Sequence, residues 1–192
     1  SMDNVFPDEP GLTEQVGPSL GDNWKSAGKG ATSSQTGSDG FDFEDMAAAK
    51  MTLRDHVAEQ IAFAFAGAAE RLIATELADE LDEAGYFRGD TGDIAERLGI
   101  KRREVDQVLA ECQTFEPTGL FARDLAECLA LQLAARDRLA PAMRMLVANL
   151  PLLARRDFAS LRKLCGVDDE DLLDMAAEIK TLDPRPGTAF VA

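Results

Sequence analysis

The side chains able to do chemistry are few and far apart in this chain. It has one histidine, His56, and three cysteines, Cys112, Cys128 and Cys165, none at metal-ligand spacing. A nucleophile with its base, or a metal held by three or four donors, needs such groups in clusters. The expectation is therefore a protein that is not an enzyme and uses no cofactor or metal. The cysteines fall at apolar helical positions and read as small core residues of a cytoplasmic protein rather than a disulfide set. Charge is the more informative feature. Lys101, Arg102 and Arg103 precede Glu104 where a helix is expected to start, although bases oppose the positive end of a helix dipole. Two readings fit: a surface for an anionic partner, or a solvated basic turn in an acidic chain.

The whole chain is strongly acidic, with 35 acids against 20 bases and a net charge of -15. Duplex nucleic acid is held largely through Lys and Arg on its phosphates, so this composition disfavours wrapping DNA and favours a partner with a positive face. No apolar stretch approaches the roughly 20 residues that span a bilayer, and no signal-peptide pattern is found. A membrane partner is not expected. Residues 1–45 are rich in Gly, Ser, Asp and Thr and read as a disordered acidic linker. Residues 1–50 hold nine acids and three lysines, net -6. Trp24 and the phenylalanines Phe41 and Phe43 are the docking candidates there, and they read more readily as incidental.

Helices must position everything that follows. Leu53, Val57, Ile61 and Phe65, then Leu72, Ile73, Leu77 and Leu81, take the steps of amphipathic helices. Thr52 with Asp55 three residues on predicts a capping box, and Gly85 is expected to close the second helix. A short helix over 93–98 stopping at Gly99, then a longer one over about 102–114, reads as a helix-turn-helix-like pair. An apolar helix is expected from about Ala122, with Leu125, Leu129 and Leu133 inward and Cys128 and Leu131 widening the stripe. Arg123 and Asp124 read either as an exposed pair or as a tie to the preceding turn plus a favourable charge at the helix start. Pro141 is placed in the first turn of the next helix, whose inner face is expected to hold Met145, Leu146, Leu150 and Leu153. The class is all-α.

Two phrases repeat, "QTFEPTG" at 113–119 and "KTLDPRPG" at 180–187. A shift of 67 residues, without a gap, lays Ile94 on Leu161, Gly99 on Gly166, Val105 on Leu172, Thr114 on Thr181, Glu116 on Asp183 and Pro117 on Pro184. This predicts two copies of one helix-turn-helix-like unit, each stopped by a proline. The copies diverge at the second helix start, "KRRE" in one and "DDED" in the other.

The stretch "FEPTGLFARDLAECLALQL" at 115–133 resembles the signature of the sigma-54 family, the nitrogen-type sigma factors of bacterial RNA polymerase. The residues that carry the likeness are Glu116, Pro117 and Gly119, then Ala122, Arg123, Asp124 and Leu125, then Glu127, Cys128 and Leu129. "TLRDHVAEQI" at 52–61, "LDEAGYF" at 81–87 and "LDPRPG" at 182–187 agree with it. One departure is "TGLF", where Pro-Gly-Val-Gly is usual and Phe121 replaces a glycine.

The resemblance implies two helical subdomains after the acidic linker. The first, 46–117, would be helix-turn-helix-like and dock on the polymerase flap, and the second, 118–192, would be a compact helical bundle. It implies a core RNA polymerase-binding module of a transcription initiation factor, forming holoenzyme for activator-dependent promoters. Its partner would be bacterial RNA polymerase core. Promoter DNA and the activator ATPase would be met only through family regions not present in this chain. Candidate polymerase contacts are Lys101, Arg102, Arg103 and Gln107. The alternative is a DNA-binding helix-turn-helix regulator, against which the net charge and the "DDED" helix count.

Overall fold

The structure, a computed structural model, describes residues 51–190. The expected acidic linker, Trp24, Phe41 and Phe43 lie outside the described residues. Nine α-helices follow one another among the described residues. They are α1 (Leu53–Ala64), α2 (Ala68–Asp79), α3 (Thr91–Leu98), α4 (Arg102–Cys112), α5 (Leu125–Ala135), α6 (Pro141–Ala148), α7 (Leu150–Ala154), α8 (Phe158–Cys165) and α9 (Asp169–Lys180), with a closing 3-10 turn at Pro186–Phe190. The only extended pairing among these residues is one antiparallel bridge between Leu81 and Phe87. The all-α class holds.

The caps explain the boundaries. Thr52 Oγ1 accepts from the Asp55 N–H, and the Asp55 carboxylate accepts from the Thr52 N–H, each at 3.2 Å. Asp90, Asp124, Asp157 and Asp168 each accept a backbone N–H in the first turn of α3, α5, α8 and α9, satisfying donors that lack an intrahelical partner. Pro141 is the first residue of α6, where its missing N–H costs nothing.

The duplication is visible atom by atom. Thr91–Leu98 and Phe158–Cys165 lie 67 positions apart at both ends, and each stops at a left-handed glycine, Gly99 and Gly166, both at φ 67°. Ile94 and Leu161, Val105 and Leu172, Cys112 and Ile179, and Phe115 and Leu182 are all buried. Thr114 Oγ1 donates to the Glu111 carbonyl and Thr181 Oγ1 to the Glu178 carbonyl, both at 2.7 Å.

The repeat also reaches further back than the echo suggests. Gln60 on α1 donates to the Glu116 carbonyl at 2.6 Å and accepts its N–H at 2.8 Å. Gln132 on α5 does the same to Asp183, at 2.5 and 2.8 Å. In each copy a glutamine from the leading helix holds both backbone groups of the acid before the proline.

Three apolar clusters form among the described residues, the smallest of Ala84, Tyr86, Ala122 and Cys128. The first gathers Val57, Ile61, Leu77, Ile94, Val105 and Leu109, and takes in Leu120 and Phe121 from beyond Pro117. The second gathers Leu129, Leu133, Leu146, Leu161 and Leu172. Burying such side chains stabilises by about 1.5–3 kcal/mol each relative to exposure.

Several expectations are corrected. Gly85 does have positive φ, 90°, but α2 ends at Asp79; the glycine instead turns the chain inside the Leu81–Phe87 bridge. Helix α5 starts at Leu125 rather than Ala122; Ala122 lies outside the helix, its carbonyl accepting the Phe87 N–H at 2.9 Å. Leu125, in the first turn, is 43% exposed. Met145 faces outward on α6, where Met143 and Val147 supply the inner face with Leu146. Leu150 and Leu153 belong to the separate helix α7.

Candidate functional site

The bases at 101–103 lie at the start of α4, and the fold separates them. Arg102 is turned back: its Nε donates to Thr91 Oγ1 at 3.1 Å and lies 3.8 Å from the Asp106 carboxylate. Lys101 and Arg103 are exposed and make no ion pair among the described residues. Lys101 brings no cap to α4. Only the return arm of a capping box exists, Glu104 accepting the Lys101 N–H at 2.9 Å. At the matching place on α9, Asp168 accepts the Asp171 N–H at 2.8 Å. So α4 carries a charge its dipole disfavours where its twin carries a cap. Gln107 is exposed one turn further along α4.

The signature residues form a joint rather than an exposed patch. The Glu116–Pro117 peptide is cis, and Gln60 grips the Glu116 backbone from α1, with His56 Nε2 at 2.5 Å from the same carbonyl oxygen. Gly119, at φ 108°, is pressed against α5: a Cβ there would lie 2.8 Å from Cys128 Sγ. Phe121 adopts φ 65° and is wholly buried, its ring edge-on to Phe115 at 5.9 Å. It takes a left-handed conformation that glycine would enter without strain, anchored by its N–H on the Gly85 carbonyl at 2.9 Å.

Glu127 ties the joint together. It accepts from Gln113 Nε2 at 2.5 Å and from Arg123 Nε at 3.1 Å, and the Gln113 amide also reaches the Phe121 carbonyl at 3.2 Å. The Glu127 carboxylate raises the Arg123 guanidinium pKa. Arg123 therefore pairs forward along α5, and Asp124 caps that helix at the Glu127 N–H, 2.8 Å away. Arg123, Arg102 and Asp106 line one cleft of about 290 Å³, so the signature and the start of α4 meet there. Ala122 and Cys128 are buried. The Cys128 thiol is raised by burial and the Cys112 thiol is pushed up to about 12, by burial and then by Glu111. Both are poor nucleophiles at neutral pH.

Sequence reasoning missed the glutamine clamps and Gln113. The signal for the clamps was present: Thr52, Leu53, Ala58 and Gln60 fall 72 positions before Asp124, Leu125, Ala130 and Gln132. A shift of 67 alone hides it. No group of three or more His, Cys, Asp or Glu side chains arranged to hold a metal is found among the described residues, and none of their helices is long and apolar enough to cross a membrane.

Comparison with known proteins follows this geometry. Residues 42–192 match the family model described as sigma-54 factor, core binding domain. The chain is 54% identical over 187 residues to the RNA polymerase sigma-54 factor of Sinorhizobium fredii, covering 97% of this chain and 36% of that protein. It is 51% identical over 189 residues to the RNA polymerase sigma-54 factor of Rhizobium etli, 98% of this chain and 35% of that protein. Against the RNA polymerase sigma-54 factor of Caulobacter vibrioides it is 49% identical over 139 residues, 72% and 28% respectively. The chain thus spans about a third of the length of the curated relatives it matches.

Proposed function

The chain belongs to the sigma-54 factor core-binding family, and on that premise we propose that it docks on bacterial RNA polymerase core to form the holoenzyme of activator-dependent promoters. The observation that carries this reading is the family match over 42–192, the span that holds the Glu116 to Cys128 joint. Nothing in that joint is set up for bond-breaking; it fixes where helices point. The work is binding, through surfaces on a rigid frame.

In this reading residues 1–45 act as an acidic linker, 46–117 form the subdomain that meets the polymerase flap, and 118–192 form a helical bundle behind it. Lys101 and Arg103 are the foremost contacts, with Arg102 and Gln107 beside them. Their support is energetic: α4 gives up a cap worth about 0.5–2 kcal/mol at Lys101, which a partner surface would explain. Promoter DNA and the activator ATPase would be engaged by other parts of the full-length protein, in the cytoplasm.

The test is a binding titration of this chain with polymerase core, run beside one with promoter duplex. Core binding that weakens about tenfold in K101E/R103E, with unchanged helix content, supports the reading. Unchanged affinity removes that patch from it.

A further inference from the structure

Charge is unevenly placed along this chain. Residues 136–163 hold seven bases and two acids, net +5, within a chain of net -15. They run from the cap of α5 through α6 and α7 into α8, and α8 packs on both α6 and α7. Two of the bases are answered inside the fold: Arg138 pairs with Glu178 at 2.9 Å and Arg162 with Asp169 at 3.1 Å. Arg144, Arg155, Arg156 and Lys163 are exposed and make no ion pair among the described residues. Asp157 is held low by hydrogen bonds from Ser160 and then by the fields of Arg155 and Lys163, so these two cations flank one carboxylate. Arg156 keeps φ 57°, a left-handed conformation that glycine would enter without strain. Lys163 stands where the first copy has Glu96. Both side chains face water, so core packing requires neither.

We propose that this basic surface of the second bundle touches the phosphate backbone of the duplex DNA that the holoenzyme holds, without reading its sequence. The proposal rests on the reading that the chain docks on core, and it adds a contact which that docking brings within reach. Outside 136–163 the chain carries -20, which suits a positive partner; the +5 segment suits a polyanion. The assembled holoenzyme brings one such polyanion with it, the promoter duplex. Three of the four unpaired cations are arginines, whose planar fork matches phosphate oxygens. The free chain, at -15, is repelled from duplex as a whole. Once core holds the DNA beside it, a high effective concentration replaces that missing affinity. Sequence recognition stays with other parts of the full-length protein, because backbone contacts position without specifying.

The experiment uses the full-length protein that carries this segment, assembled with polymerase core and titrated with promoter duplex and with a scrambled duplex across a range of salt. The variant R144Q/R155Q/R156Q/K163Q changes exposed side chains only, and its helix content and thermal midpoint are recorded. Its affinity for core should equal that of the wild type. Its holoenzyme should bind both duplexes about tenfold more weakly, with a log–log salt slope shallower by about 3. A photo-crosslinker at the exposed Leu164, beside Lys163, should capture DNA in the holoenzyme complex. If the wild-type protein does not bind core, the docking reading falls and takes this proposal with it. If it binds core and the variant keeps both duplex affinity and salt slope, the phosphate proposal falls alone. Weakened core binding in the variant, or crosslinks to a polymerase subunit in place of DNA, would make this surface a protein contact and overturn the proposal.

Discussion

Gln60 and Gln132 each hold a backbone N–H and C=O that no helix satisfies; removing Gln132 strips both of its hydrogen bonds from Asp183, whereas removing Gln60 orphans the Glu116 N–H and leaves its carbonyl to His56. Gln132 is buried and Gln60 is half-buried, and the penalty grows with burial. Q132A should lose about 2 kcal/mol and Q60A about 1 kcal/mol in urea unfolding, with unchanged slope. Equal, negligible losses would show that the clamps are incidental. Phe121 sets two effects against each other. F121G relieves a left-handed conformation costing about 1–3 kcal/mol but empties a wholly buried aromatic site costing about 3–5 kcal/mol. The cavity wins, and F121G should be destabilised by about 2 kcal/mol. A stabilised F121G would show the ring to be poorly packed.

At the scale of elements, α4 and α9 are the same helix with opposite first turns. K101D should give α4 the cap that α9 has, raising stability by about 1 kcal/mol while weakening core binding. A gain in stability with unimpaired binding would return the basic turn to a solvated surface. Acid reports on several elements together. Hydrogen bonds from Thr52 and Ser160 hold Asp55 and Asp157 below the ordinary carboxylate range, and Arg138 holds Glu178 there. For Asp82 partial burial works upward, yet Arg88 with the Tyr86 and Ala84 N–H groups keeps it low. Such groups bind fewer protons folded than unfolded. Their stabilisation is complete above the unfolded pKa and disappears as pH falls through the folded one. The urea midpoint should therefore be flat from neutrality to about pH 5 and fall below about pH 4. A midpoint that rises on acidification would contradict these assignments. Helix identity was legible from the apolar steps and Pro141, because period and caps are local. The end of α2 was not, since Gly85 has its positive φ for a turn held by the Phe121 N–H on the Gly85 carbonyl and the Gly187 N–H on the Ala84 carbonyl, with Leu120 packed against it, rather than for a helix stop.

At the scale of the described residues as a whole, the last turn returns to α1 and to the turn at 81–87. The Gly187 N–H donates to the Ala84 carbonyl at 2.9 Å, Tyr86 O–H donates to the Pro184 carbonyl at 2.5 Å, and Phe190 stacks on His56 at 4.6 Å. A Cβ on Gly187 would come within 2.6 Å of the backbone at 83–85. G187A should cost about 1–3 kcal/mol and speed amide exchange at both Ala84 and Gly187; an unperturbed G187A would mean this seam is loose. The seam also shows why the site was only half legible. Lys101, Arg103 and Gln107 could be placed on one helix from spacing, but the cleft shared by Arg102 and Arg123 needs α4 and the signature together, a juxtaposition no single periodicity encodes. The signature at Glu116 to Cys128 was legible as a family mark, while its role as a joint required Gln60 and Gln113 from other elements. The central claim is tested most directly by titrating this chain into RNA polymerase core and into promoter duplex under one buffer. Saturable one-to-one binding to core with no measurable binding to duplex is the predicted result. Tight, salt-sensitive binding to duplex without binding to core would contradict it.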